Sequence, residues 1–167
     1  MACSQTLAGI ARDCATNMGG IKTVYIANAA DVDSVTLTSG VVTAITMVSS
    51  KKFYKYAFAL GTSSMTSTCQ VSAENGTKYV ETDLAMVFNR MDSTKRLEIV
   101  ALAQAELVVV VEDNNSNMWY LGFHEPVMLN AGDGNTGTAR GDRNGYTVTL
   151  RDTAPELPYP CTATPTV

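Results

Sequence analysis

The single histidine, His124, stands beside Glu125 and is the first place to look for chemistry. A catalytic base or a metal ligand needs partners, yet there is no second histidine, and no cysteine or carboxylate stands at ligand spacing. Serine hydrolysis needs a nucleophile elbow as well as a histidine, and no G-x-S-x-G occurs. Walker-type and dinucleotide-binding glycine patterns are also missing. His124 therefore reads as a surface or interface residue. Four cysteines, Cys3, Cys14, Cys69 and Cys161, are far apart and include no C-x-x-C pair, so scattered reduced thiols are expected. Neither enzymatic activity nor a cofactor follows from these residues.

Carboxylates occur in two close pairs, Asp31 with Asp33 and Glu81 with Asp83. Two-residue spacing on a strand puts both members of a pair on one face, where they could hold a cation or face water. Neither pair is flanked by aromatics in the manner of a sugar cleft. Glu81 and Asp83 oppose the apolar face of the clearest alternating segment, which suggests a wet channel lined by that strand within an assembly. Asp133-Gly134-Asn135-Thr136-Gly137 resembles a calcium loop, but Asn144 stands where an EF-hand needs glutamate. Arg140-Gly141-Asp142 and the sequon Asn75-Gly76-Thr77 are short patterns that carry no weight without a secreted context.

The elements around these residues are mostly strands. Thr23–Ala29 is β-rich, and Ser34–Thr38 with Val41–Val48 reads as a hairpin around Ser39-Gly40. In 52–60, Tyr54, Tyr56, Phe58 and Leu60 share one face and Phe53 lies on the other. Met65–Ser72 reads as a polar strand, Glu74–Thr77 as a turn, and Val80, Thr82, Leu84, Met86 and Phe88 as one face of the next strand, opposite Tyr79, Glu81, Asp83, Ala85, Val87 and Asn89. A helix is expected over about 93–105, capped by Asp92 or Ser93, with Leu97, Val100, Ala101 and Gln104 as its stripe. Leu107–Val111 is apolar throughout and reads as a strand covered on both faces. Asp113–Asn117 is the turn into Met118–Phe123, Pro126 marks an edge or bend, and Gly132–Gly145 reads as a long loop before a last strand over 146–150. Four of the five prolines follow Ala154. The expected architecture is mainly β: a β-sandwich or partly closed barrel with one packed α-helix and extended terminal arms. Its parts are an arm over 1–20, the sandwich domain over 21–152 and a proline-rich arm over 153–167.

Composition narrows the function further. Hydrophobic residues make up 46% of the 167 and charged residues only 17%, below the roughly 25% typical of soluble domains. Such a surface either buries itself or docks against neighbours. The formal net charge is −4, and no basic run is longer than Lys51-Lys52, which argues against a grip on nucleic acid. No apolar run reaches the ~18 residues of a membrane span, and the N-terminal residues read poorly as a signal peptide.

Several segments, taken in order, resemble the tail tube (major tail) proteins of tailed bacteriophages. They are Gly19-Gly20-Ile21 leading into Val24–Asn28, Phe53-Tyr54-Lys55-Tyr56, Glu74–Thr77, Val110–Asp113, Thr136–Ala139 and Asn144-Gly145-Tyr146. The resemblance runs from about Gly19 to Leu150 and leaves out the proline-rich end. It implies a virion structural protein that forms hexameric rings, stacked into a hollow tube for DNA delivery. Its partners would be further copies of itself, other tail proteins such as tape measure and terminator, and DNA in transit without specific binding; no membrane is implied. Assembly would take place in the host bacterial cytoplasm. On this resemblance Glu81 and Asp83 become lumen-facing candidates, and Lys51, Lys52, Gly134, Thr136, Arg140, Asp142 and Arg143 become candidates for subunit contacts. Two alternatives are a phage head-decoration or head-to-tail connector protein and a secreted β-sandwich adhesion or carbohydrate-binding module.

Overall fold

Branched Cβ atoms favour extended backbone, and Val, Ile and Thr fill the body of this chain. The computed structural model describes residues 7–59 and 61–167; Cys3 and Leu60 lie outside them. Two sheets and one α-helix are present among the described residues. The first sheet comprises β1 (Ile21–Asn28), β2 (Val32–Thr38), β3 (Val41–Met47), β4 (Tyr54–Ala57), β7 (Leu107–Asp113), β8 (Met118–Leu121) and β11 (Tyr159–Cys161). Its spatial order is β2-β3-β11-β8-β7-β1-β4. The second comprises β5 (Ser64–Ser72), β6 (Thr77–Asn89), β9 (Met128–Asn135) and β10 (Gly145–Ala154), in the order β5-β6-β10-β9. The helix, α1, covers Ser93–Gln104.

Connectivity forces the first sheet to curl. β1 and β2 are five strand positions apart, about 24 Å if the sheet were flat. The chain from Asn28 to Val32 can reach only about 14 Å. A single 3-10 turn over Ala29–Asp31 makes the connection, with Ala29 N–H donating to the Glu106 carbonyl at 2.8 Å and Val48 N–H to the Asp31 carbonyl at 2.9 Å. The β2–β3 hairpin therefore folds back over one face of the sheet. Its turn has positive φ at both Ser39 (51°) and Gly40 (78°), the sense that matches strand twist. The result is a sandwich with one rolled sheet and no closed barrel.

Two cores follow from that curl. The first lies between the sheets and joins Val24, Ile26, Val109, Val111 and Leu121 to Leu84, Met86, Val148 and Leu150. The second lies on the far face of the first sheet, where Ala27, Val42, Phe53, Val108, Val110, Tyr120 and Cys161 meet. β7 serves both: its odd positions enter one core and its even positions the other, and Leu107–Val111 is buried throughout, as its unbroken apolar run predicts. The alternation expected in 52–60 also holds where it is described, with Tyr56 and Phe58 against the first core and Phe53 in the second.

Three expectations need correction. The helix forms over the expected residues, with the Asp92 side chain accepting from Lys95 N–H at 2.8 Å, but it is rotated. Leu102 and Ile99 face the core, whereas Leu97 (63% exposed), Val100 (44%), Ala101 and Gln104 face outward. The supposed long loop is shorter, because Gly132–Asn135 belongs to β9 and pairs with β10. The strand after the Asp113–Asn117 turn ends at Leu121 rather than Phe123.

The proline-rich end is extended, as its composition suggests, but it lies on its own domain. β11 is inserted between β8 and β3, antiparallel to the first and parallel to the second. Thr162 N–H donates to the Val42 carbonyl at 2.9 Å, and Phe53 N–H to the Thr166 carbonyl at 2.8 Å. This strand is what attaches the β2–β3 hairpin to the rest of the sheet.

Leu102→Ala is expected to lower the unfolding free energy by about 2–4 kcal/mol in urea denaturation. Leu97→Lys should stay within about 0.5 kcal/mol of the parent, because its side chain is on the open face. The reverse ranking would place the expected stripe back on the core.

Candidate assembly surfaces

Strand pairing places the outer face of the four-stranded sheet. Glu81, Asp83 and Ala85 on β6 lie beside Thr68, Thr66 and Ser64 on β5 and beside Thr153, Arg151 and Thr149 on β10. Asp133 and Ala131 continue the row on β9. Val80, Thr82, Leu84 and Met86 point the other way and are buried, so the alternation read in β6 is reproduced. The middle of the face thus carries mainly short hydroxyl and methyl side chains, with Tyr79 and Gln70 at one end, Val87 towards the other and Met128 beside Arg151. It carries a charge cluster that the sequence did not reveal. Arg151 donates through Nε and Nη2 to the two oxygens of Asp83 at 2.7 and 2.8 Å, and through Nη1 to Glu81 at 3.3 Å. Forked contact of this kind matches guanidinium to carboxylate. It holds Asp83 below the usual carboxylate range, chiefly through the hydrogen bonds from Arg151. Glu81 and Asp83 come from one strand and Arg151 from another, 68 residues away from Asp83, so no local spacing could have shown the trio.

Among the described residues both margins of this sheet, β5 and β9, pair on one side only. An unpaired margin exposes backbone donors and acceptors to any strand that approaches. β5 is nine residues long and mostly Ser and Thr, without proline or charge to block it.

The interface candidates fall in two places. Thr136, Arg140, Asp142 and Arg143 occupy the β9–β10 connection, with Gly134 just before it in β9. Asp142 organises that loop by accepting from Thr138 and Ala139 N–H at 2.8 and 2.7 Å; these amides, Ala139 first, hold its carboxyl below the ordinary range. Arg143 donates to the Thr147 hydroxyl at 2.7 Å, and Thr136 donates to the Gly137 carbonyl at 3.3 Å. Gly134 allows close packing, since a Cβ there would come within 3.0 Å of the Tyr146 ring. Asn144 ties the loop to the start of α1 by accepting from Arg90 and Met91 N–H. Lys51 and Lys52 lie apart from this group, in the β3–β4 connection of the other sheet. Lys51 pairs with Asp31 at 3.0 Å, which also accounts for one member of the Asp31–Asp33 pair; Lys52 is exposed.

Residues 7–20 are all exposed and belong to no strand or helix. Leu7 and Ile10 are 91% and 102% exposed. The body grips this segment only at its end. Asn115 donates to Asn17 Oδ1 and to the Met18 carbonyl and accepts from Met18 N–H, while Asn114 donates to the Gly19 carbonyl. The Asp113–Asn117 segment reads locally as a turn, and Asp113 does cap it by accepting from Asn115 and Asn117 N–H. Its second role, as a clasp on residues almost a hundred positions earlier, has no local signal.

His124 makes a hydrogen bond with the Tyr159 hydroxyl at 3.2 Å and packs against the rings of Phe123 and Tyr159. No group of three metal-ligating side chains gathers among the described residues, and Cys14, Cys69 and Cys161 are free. Near His124, Asp152 is 4% exposed on the inner face of β10, paired across the sheet with the buried Thr82. Its Oδ1 has no hydrogen-bond partner. Burial pushes its carboxyl up to about 6, against the opposing pull of the Gly122 amide and His124.

No family model matches the chain, and no curated protein matches it. Two solved chains resemble the fold. One belongs to the virion of a native gene transfer agent particle, at 11% identity and a TM-score of 0.40, covering 80% of this chain and 98% of that one. The other belongs to the tail of an empty gene transfer agent particle with C6 symmetry, at 12% identity and a TM-score of 0.39, covering 78% and 99%. Likeness at this level carries no argument about what the present chain does.

Asp152 makes a signed prediction. Its folded-state pKa lies above the 3.8 of a free aspartate, so the native state binds its proton more tightly than the unfolded state does. Stability from this group is therefore lost as pH rises from about 4 to about 6. Asp152→Asn should raise the unfolding free energy by about 3 kcal/mol at pH 8 and change it little at pH 4. Urea titrations of both proteins at the two pH values check this; an equal effect at both would remove the charge-burial explanation.

Proposed function

We propose that the chain is a virion structural protein of the phage tail-tube kind, without catalytic activity, and that its four-stranded sheet lines the tube. One observation carries this reading: among the described residues that sheet has two unpaired margins, and its outer face is mostly uncharged, with Arg151 engaged by Glu81 and Asp83. Edge-to-edge continuation from one copy to the next would satisfy both margins and close the sheets into a cylinder. Four strands contribute about 19 Å of arc each time. A hexameric ring then has a backbone diameter of about 37 Å before strand tilt widens it, wide enough for duplex DNA once side chains are placed.

The outer face suits such a bore. Each free lysine or arginine would displace counterions from passing phosphates and hold the DNA in place. Arg151 is already matched, and hydroxyls keep the wall wet without charge. The segmental resemblance to tail tube proteins supports the same reading, with tape measure and terminator proteins as further partners and DNA passing without specific contacts. The low overall charge fits a surface largely covered by neighbouring copies.

Negative-stain electron microscopy of the protein alone, over a range of concentration and ionic strength, is the test. Hollow tubes of uniform width are the expected result. A single ring that never stacks would turn the reading towards a connector or decoration protein. A saturable shift in melting temperature with oligosaccharides, and no rings, would turn it towards a carbohydrate-binding module. In assembled tubes, Thr66→Lys combined with Thr149→Lys should create retention of short duplex DNA that falls steeply between 50 and 200 mM salt, roughly as counterion release dictates. Retention by the parent tubes at the same level would remove the low-drag argument.

A further inference from the structure

Two asparagines in the chain are followed by glycine, Asn75-Gly76 and Asn144-Gly145. Glycine has no Cβ to shield its main-chain nitrogen from the side chain that precedes it. Both asparagines are exposed, so access to water does not separate them. The surroundings of their reacting groups do. Asn75 lies in the turn over 73–76 that joins β5 to β6. Its own N–H donates to the Ser72 hydroxyl at 3.4 Å, while its side-chain amide has no hydrogen-bond partner among the described residues. No backbone carbonyl among them accepts from Gly76 N–H either. Gly76 has a φ of 66°, and a Cβ added there would meet nothing within 4 Å. Electrophile and nucleophile are adjacent, unengaged and free to move.

The second pair is held at every point. Asn144 Oδ1 accepts from Met91 N–H at 2.9 Å, and the Asn144 carbonyl accepts from Arg90 N–H at 2.6 Å. Gly145 is buried and pairs with Asn89 on one side and Asn135 on the other. A Cβ added at Gly145 would collide with the Phe88 carbonyl oxygen, so the main chain is closely packed where reaction would have to occur. Turning Asn144 Cγ onto the Gly145 nitrogen would break the bond from Met91 and disturb the one from Arg90. The same dipeptide therefore stands once in a loose turn and once in a locked strand entry.

We infer that Asn75 is a site of spontaneous deamidation in the folded protein, and that the fold suppresses the same reaction at Asn144. The Gly76 main-chain nitrogen, giving its proton to solvent base, attacks Asn75 Cγ. A new C–N bond closes a five-membered imide, and the side-chain nitrogen leaves as ammonia. Water then adds to one of the two imide carbonyls and breaks that carbonyl's bond to the ring nitrogen. The product is aspartate or isoaspartate; one water is consumed, one ammonia is released, and nothing is oxidised or reduced. A new carboxylate is left beside Glu74, on a chain whose formal charge is already −4. Isoaspartate also adds one carbon to the main chain, in the turn that leads out of the β5 margin. The reaction needs only the folded protomer and is independent of the tube reading.

Ageing the full-length protein at mildly alkaline pH, in buffer and in guanidinium chloride, tests the inference. Peptide mass spectrometry after digestion at acid pH follows the mass gain that comes when NH2 is replaced by OH at each asparagine. In buffer, Asn75 should convert at least about tenfold faster than Asn144, the factor set by the hydrogen bonds that Asn144 would have to give up. In denaturant the two rates should converge, because only the fold distinguishes the pairs. Equal rates in buffer would overturn the inference. A gap that persists unchanged in denaturant would overturn it as well, by assigning the difference to sequence neighbours. Asn75→Gln, with a melting temperature equal to the parent, should remove the acidic species that ion exchange resolves from the aged parent. The same acidic species appearing at the parental rate in that variant would place the reaction elsewhere and reject Asn75 as its site.

Discussion

Everything in this molecule leans on β7. Five consecutive apolar residues, Leu107–Val111, give a strand that must be covered on both faces, and the rest of the chain supplies the two covers. On one side the second sheet brings Leu84, Met86, Val148 and Leu150. On the other the first sheet rolls over itself, so that Val42, Phe53 and Tyr120 close on Val108 and Val110. The three-residue connection between β1 and β2 makes the roll obligatory, and β11 locks it by tying β3 to β8. Because the roll consumes the far face of the first sheet, only the second sheet keeps an outer face free for other uses.

The constraints that act locally were legible in the residues. Period-two alternation identified β6 and its two faces, the unbroken run identified β7 as doubly buried, and Asp92 was recognisable as a cap because its carboxylate can reach the first free amides. What escaped notice depends on distant partners. Arg151 looks like any exposed arginine until pairing sets it beside Glu81 and Asp83. β11 is three residues with Pro160 at its centre and Pro158 just before it, too little to signal a strand; its place comes from the gap between β8 and β3 that it fills. β9 ends in Gly132-Asp133-Gly134-Asn135, which reads as loop, and pairing with β10 overrides that preference.

The helix is the most instructive failure. Leu97, Val100, Ala101 and Gln104 satisfy the spacing of a buried stripe, and so do Lys95, Ile99 and Leu102 if the lysine lets its stem cover apolar surface while its ammonium reaches Asp92. Periodicity shows that a helix has an apolar face but cannot rank two such faces. Packing against the first core chose the second set. The first set then became surface, where aliphatic side chains gain nothing from water.

That rejected stripe, the open margins of β5 and β9, and the solvent-held Leu7 and Ile10 have one physical feature in common. Each is a group whose usual partner, an apolar contact or a backbone hydrogen bond, is missing among the described residues. An independent monomer would accumulate charge or proline at such places to blunt them. Here β5 carries hydroxyls and a single cysteine, and the helix carries leucine and valine. Leaving these positions unguarded is tolerable when neighbours cover them faster than wrong partners do. A fold that turns one sheet inward on itself and leaves the other with both margins unpaired among the described residues separates the part that holds the protomer together from the part left open to other contacts.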